Sequence, residues 1–243
     1  MKKYALFDLD HTLIPYDTQT LFCNFVIKKQ RWRGLLIVLF LPFGIARGFK
    51  LCTTATAKRA FLSCLLGLNQ ATLKSWSYEF AQEIKVLFYP EMLRIIEEHR
   101  EAGCYLILNT ASPHFYAEEI AQLLRMDAIY STTFEVNKKI NWLPKIIGEN
   151  NKRNVKLKKM EKDHPELVKS ELKENCWAYS DSAADLPLLS LAAHVGIVHP
   201  KRALFDFYQD RPHQLLKPQN PYSNRWMGWL DGLKQILGIF NIN

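Results

Sequence analysis

No CxxC pair, no low-complexity run and no internal repeat occurs in this chain. No apolar stretch reaches the roughly 20 residues that a membrane-spanning helix needs. Each absence excludes something. The five cysteines (Cys23, Cys52, Cys64, Cys104 and Cys176) are odd in number, and three stand in apolar surroundings. They read as small hydrophobes in a reducing compartment rather than as a disulfide framework. The lack of low-complexity sequence, with 48% apolar and 23% charged residues, excludes a disordered chain. Met1-Lys2-Lys3 could open an export signal, but Asp8 and Asp10 interrupt the apolar run at once, so none is expected. No recognised nucleic-acid motif accompanies the net charge of +8, so nucleic acid is not an expected partner. One strongly apolar uncharged run, GLLIVLFLPFGIA between Arg33 and Arg47, is too short to span a bilayer and contains Pro42. It is expected to be buried, with a shallow membrane-surface element as the alternative.

The 243 residues suffice for one large domain or for a core with an insert. Tyr4-Ala5-Leu6-Phe7 reads as a strand buried on both faces, and it runs into Asp8-Leu9-Asp10-His11-Thr12. From about Pro15 to Phe88 the pattern is helical. Asp17 or Thr18 caps a first helix carrying Leu21, Phe22, Phe25 and Val26. A second, apolar helix breaks near Pro42. A third ends at Gly67, and a fourth starts near Asn69. After Pro90 strands and helices alternate again. Tyr105–Leu108, Cys176–Tyr179 and Val195–Val198 read as buried strands, 128–142 as a short strand pair turning at Asn137-Lys138-Lys139, and 150–173 as a basic helical stretch. The alternation implies a parallel sheet with right-handed crossovers. The tail from Pro218 places Trp226, Trp229, Leu230, Leu233, Ile236, Leu237 and Phe240 on one helical stripe, expected to dock on the protein or to act as an interfacial anchor.

Three strand ends then share one edge of the sheet. They present Asp8 and Asp10, Thr110 and Ser112, and Asp181 and Asp185. Open α/β sheets bind ligands at that edge. Carboxylates gathered there repel one another and are costly to desolvate. A divalent cation with oxygen ligands removes that cost and suits Mg²⁺. Carboxylates, a metal, a hydroxyl and a lysine form a cradle for a transferring phosphoryl group, and a carboxylate is a competent covalent nucleophile.

These residues resemble the haloacid dehalogenase-like superfamily of phosphatases over about Lys3 to Pro200. Phe7-Asp8-Leu9-Asp10-His11-Thr12-Leu13 fits DxDxT, Thr110 follows an apolar strand, and Ser180-Asp181-Ser182-Ala183-Ala184-Asp185 fits DSxxD. A lysine must come from the segment after Gly148, with Lys156 favoured and Lys152 the alternative. His11, Ser180 and Arg153 stand where relatives often carry glycine. The resemblance implies a Rossmann-like parallel-sheet α/β core with an inserted all-helical cap of the C1 type, as in phosphoserine phosphatase-like members. It divides the chain into a core of 1–14 and 89–217, a four-helix cap of 15–88 and a tail of 218–243. It further implies Asp8 as nucleophile, Asp10 as acid and base, and Thr110 and Lys156 on the phosphoryl oxygens. Mg²⁺ would be held by Asp8, Asp181 and the Asp10 carbonyl, with Asp185, Ser182 and Asp17 in support. His11, His114 and His199 read as local hydrogen-bonding residues.

The expected activity is Mg²⁺-dependent hydrolysis of a small phosphorylated metabolite in the cytoplasm. A diffuse likeness in the cap to bacterial phosphatases of phosphatidylglycerophosphate keeps a lipid phosphate at an anionic membrane surface as one alternative. A catalytically silent binding module on the same fold is the other. The Lys28–Arg33 cluster fits anionic headgroups or a solvated helix end. Oligomeric state leaves no mark in the sequence.

Overall fold

A computed structural model describes every residue except Met1, Lys169, Ser223 and Asn243. Six strands form one fully parallel sheet: β1 (Lys3–Phe7), β2 (Cys104–Pro113), β3 (Ala128–Thr132), β4 (Cys176–Ser180), β5 (His194–Val198) and β6 (Gln214–Leu216). Their order is β3-β2-β1-β4-β5-β6. β1 pairs with β2 on one side, Phe7 against Leu108, and with β4 on the other, Phe7 against Tyr179. Chain order reverses at β1, so its carboxyl end is the topological switch point. The strands are apolar on both faces because helices cover both. Two buried clusters result. One contains Phe7, Leu9 and Ala5, and the other contains Tyr4, Leu6 and Ile107. Alternate residues of β1 thus feed opposite layers.

Between β1 and the helix that precedes β2 lies a helical insertion. It comprises α1 (Thr18–Lys29), a 3₁₀ run over Arg31–Leu39, α2 (Leu41–Gly48), α3 (Thr54–Phe61), a second 3₁₀ turn over Leu62–Leu65, and α4 (Gln70–Ile84). Side-chain caps mark three starts: Asp17 accepts from Thr20 N–H at 2.9 Å, Thr53 from Thr56 N–H at 3.1 Å, and Asn69 from Thr72 N–H at 2.8 Å. The core resumes with α5 (Pro90–Glu101), α6 (His114–Leu123), α7 (Asn154–Asp163), α8 (Leu186–Leu189) and α9 (Arg202–Tyr208). Among the described residues no helix is long and apolar enough to cross a membrane.

Several expectations are corrected. Residues 128–142 do not form a hairpin. Ala128–Thr132 joins the main sheet beside β2, and Lys139 instead makes an isolated antiparallel bridge with Asn69. The basic stretch 150–173 is helical only in part, α7 ending at Asp163 before 3₁₀ turns, and Lys169 lies outside the described residues. The run 34–46 is not buried: Ile37 is its one buried apolar side chain. The tail forms α10 (Arg225–Ile236), which packs on α1. Gln235 and Phe240 are buried there, but Trp226 and Trp229 stack on each other in solvent. The stripe is therefore seated only in part, while the start of the tail is held by a buried Pro218 and by Tyr89, which donates to Asn220 Oδ1 at 2.6 Å.

Candidate active site

β1 delivers Asp8 to the switch point, where Asp8 N–H donates to the Tyr179 carbonyl at 3.1 Å. The chain then turns sharply, Thr12 and Leu13 donating to the Leu9 carbonyl at 3.2 and 2.9 Å. His11 takes φ of 61° in that turn, the left-handed region that glycine enters without cost. Its ring meets the Pro15 carbonyl at 3.1 Å. This geometry accounts for glycine at that position in relatives and for the local role expected of His11. His114 and His199 likewise meet Ser131 Oγ at 2.8 Å and the Pro218 carbonyl at 2.7 Å.

Lys156, on α7, is buried and reaches both Asp8 Oδ1 at 2.7 Å and Asp185 Oδ1 at 2.8 Å. Lys152, the alternative, is exposed. Ser180 donates to Asp185 Oδ2 at 2.8 Å, so its hydroxyl replaces a glycine with an orienting contact. Ser182 caps the 3₁₀ turn that carries Asp185, accepting from Ala184 N–H at 3.3 Å. Asp181 is buried and accepts from Lys201 Nζ at 2.6 Å.

Asp10 points elsewhere. Its Oδ1 accepts from Thr18 N–H at 2.8 Å and Thr18 Oγ1 at 2.6 Å, and its Oδ2 accepts from Ser112 Oγ at 2.7 Å. Ser112 N–H in turn donates to Thr110 Oγ1 at 3.1 Å. β2 bulges between Asn109 and Pro113, the stretch that carries both hydroxyl residues. Asp17 caps α1 and is exposed, the simpler of its two expected roles.

Two residues here escaped the sequence reading. Lys58, on α3, reaches from the insertion to the Ala111 carbonyl. It was one lysine among many, and only its long-range partner distinguishes it. Asn151 is buried, donating to Asn109 Oδ1 and the Thr110 carbonyl at 2.8 Å and to the Tyr130 carbonyl at 3.0 Å. It ties the segment that presents Lys156 to β2 and β3. An asparagine in a loop carries no such signal by itself.

Burial pushes the Asp8 carboxyl up to about 8, with Lys156 opposing the rise and Asp185 and Asp181 adding to it. Burial raises Asp10 as well, and Asp17 adds to this against the hydrogen bonds from Thr18 and Ser112. Burial works against the Lys156 ammonium, but Asp8 and Asp185 more than offset it and hold it above the ordinary lysine value. Burial depresses Lys58, against Asp17 and Asp10.

The donor set can be tested for a cation. Three buried carboxylates (Asp8, Asp181 and Asp185) face the ammonium groups of Lys156 and Lys201, with the half-buried Asp10 beside them on Thr18 and Ser112. The excess of negative charge and the all-oxygen donors fit a hard divalent ion. Among the described residues no three carboxylates, histidines or cysteines close a metal shell by themselves. A cation there would have to complete its shell with other oxygen donors such as main-chain carbonyls or water.

A family model described as haloacid dehalogenase-like hydrolase matches residues 5–190. The chain belongs to that family. Among its relatives are an "inhibition of morphological differentiation protein" of Streptomyces azureus, 30% identical over 210 residues (82% of this chain, 73% of that one), and a histidinol-phosphatase of Neisseria meningitidis, 25% identical over 213 residues (84% and 93%). The fold is shared with a Bordetella pertussis protein of unknown function, at a TM-score of 0.73 and 23% identity over 89% of this haloacid dehalogenase-like chain and 98% of that one. It is shared too with a phosphoserine phosphatase solved as a phospho-aspartyl intermediate analogue, at a TM-score of 0.60 and 17% identity over 90% and 95%.

Proposed function

We propose that this hydrolase is a Mg²⁺-dependent phosphomonoesterase that works through an aspartyl-phosphate on Asp8 and acts on a small phosphorylated metabolite. The observation that carries the reading is the placement of Asp8 at the switch point, against a buried Lys156 shared with Asp185. In the first step an Asp8 carboxylate oxygen attacks phosphorus and the bond to the leaving oxygen breaks, Asp10 donating the proton that oxygen needs. Thr18 and Ser112 hold Asp10 in one orientation, and burial favours its protonated form. In the second step Asp10 takes a proton from water, the water oxygen attacks phosphorus, and the bond to Asp8 breaks to release inorganic phosphate. Lys156 and Thr110 hold phosphoryl oxygens. Asp8, Asp181 and the Asp10 carbonyl would hold Mg²⁺, which supplies positive charge against the phosphoryl oxygens.

The helical insertion, taken as 15–88, acts as a cap over a core of 1–14 and 89–217, with 218–243 as a tail. Besides Thr18, the cap sends Lys58 toward the site, and its ammonium suits an anionic substrate group. A second reading, a lipid phosphate as substrate, is favoured by the solvent exposure of the apolar run in the cap. A silent binding module is disfavoured by the intact set of four aspartates.

The test is phosphate release from a panel containing phosphoserine, histidinol phosphate, sugar phosphates, nucleotides and phosphatidylglycerophosphate in micelles. It is run with Mg²⁺, with EDTA and with Asp8→Asn. Turnover that disappears in both controls supports the mechanism. Turnover that persists in folded Asp8→Asn overturns it.

A further inference from the structure

From Thr18 to Tyr78 the chain carries nine lysines and arginines and not one aspartate or glutamate. The net charge of +8 therefore resides wholly in this stretch. Some of the cations are engaged within the fold. Lys28 and Lys29 pair with Glu83 and Glu79 on α4, Arg33 is buried on the Cys64 and Leu66 carbonyls, and Lys58 and Arg59 reach main-chain oxygens. Arg47 and Lys50, at the end of α2, are exposed.

The same stretch displays its large apolar side chains. Leu35, Phe49 and Leu51 are 75, 74 and 79% exposed, and Trp32, Val38 and Ile45 are each more than half exposed. Single exposed apolar residues need no account, but a run of them on consecutive elements does. The surface continues onto the tail. Arg31 donates to the Gly238 carbonyl at 2.9 Å, and Gly34 and Gly238 both pack on Ile27. Leu237 and Ile239, each more than half exposed, are thereby brought beside the Arg31–Leu35 segment.

We propose that this face, Arg31–Leu51 with the adjoining end of the tail, docks on an anionic lipid bilayer. Charge complementarity selects the occupant. Apolar side chains and a tryptophan, interspersed with exposed cations and free of any carboxylate, match a surface of acyl chains beneath phosphate headgroups. A protein partner of ordinary composition would give no reason for the complete exclusion of acidic residues. Among the described residues no helix is long and apolar enough to cross the bilayer, so the contact proposed is a peripheral one. The proposal is independent of the chemistry at Asp8: the Asp8→Asn protein should bind as the native chain does, whatever the substrate.

The experiment is co-sedimentation of the full chain with vesicles of phosphatidylcholine alone or mixed with an equal part of phosphatidylglycerol, in low and high salt. The native chain should pellet with the anionic vesicles, and salt should release it. Arg47→Gln with Lys50→Gln should weaken binding about 25-fold, at about fivefold for each cation near the surface. Leu35→Ser with Phe49→Ser and Leu51→Ser should weaken it by more than about tenfold, with the thermal unfolding transition unchanged because these side chains are already in water. A native chain that stays in the supernatant with anionic vesicles overturns the proposal. So does equal binding by both sets of variants. A native dimer in solution that the triple-serine variant dissolves, with vesicle binding absent, overturns it in favour of self-association.

Discussion

The Lys156 ammonium stands 2.7 Å from Asp8 Oδ1 with both side chains buried. Because the same ammonium also serves Asp185, its removal leaves both buried carboxyl groups without their cation. Lys156→Met is expected to lose turnover and to destabilise the fold by about 3–5 kcal/mol, the typical cost of breaking a buried ion pair from one side. Urea unfolding of the two proteins measures the loss. A difference below about 1 kcal/mol would mean that the pair contributes little.

The raised Asp8 carboxyl makes stability depend on pH in a definite direction. In the unfolded chain this group titrates near the ordinary aspartate value of 3.8, and in the fold it is pushed up to about 8. Between those values the folded state holds the extra proton, so its contribution is fully present below about pH 4 and is lost as pH rises toward 8. In EDTA the native chain should therefore lose stability relative to Asp8→Asn across that window. Parallel curves for the two proteins would contradict the assignment.

Magnesium should reverse part of that loss. At a hundred times its dissociation constant, a ligand bound only by the folded state stabilises by about 2.7 kcal/mol. Thermal unfolding of the native chain should shift upward with Mg²⁺ and back with EDTA. Asp181→Asn should respond much less, since it lacks one of the two carboxylate ligands proposed here. An equal response from both would place the ion elsewhere.

Lys58 reaches the site from the cap, and its main-chain partner is Ala111, beside Thr110. If it meets an anionic substrate group, Lys58→Ala removes a charged hydrogen bond worth roughly 1.5–3 kcal/mol, a loss of about 10- to 100-fold in kcat/KM. Steady-state kinetics on the preferred substrate should place most of this in KM, because the residue touches no bond that changes. A change confined to kcat would assign it a part in the chemistry instead.

Much of this molecule was legible from local pattern. Tyr4–Phe7, Tyr105–Leu108, Cys176–Tyr179 and Val195–Val198 all lie in strands, because a run of apolar residues ending in polar ones has few other solutions. The aspartates stood out because carboxylates at the ends of buried strands conflict with burial unless something uses them. Gln214–Leu216 was missed as a strand. It is a three-residue edge element half open to solvent, too short for any periodicity. Residues 128–142 read as a hairpin because a turn-like Asn137-Lys138-Lys139 followed a short β-rich run. The sheet offered Ala128–Thr132 a better partner in β2.

The amino-acid order alone determined the strand–helix alternation, the position of the helical insertion and the identity of the acidic residues, because these follow from hydrophobic period and from polar groups interrupting it. The sequence favoured Lys156 with Lys152 as the alternative, and only the tertiary structure buries Lys156 on α7 against Asp8 and Asp185 while leaving Lys152, ahead of that helix, exposed. It also recruited Lys58 and Asn151, whose partners lie 53 and 42 residues away or nearer by separate turns of chain. And it left the apolar run of the cap facing outward, which hydrophobicity by itself would have buried. An apolar side chain is buried only where the fold supplies a surface to cover it, and among the described residues no element covers most of this run.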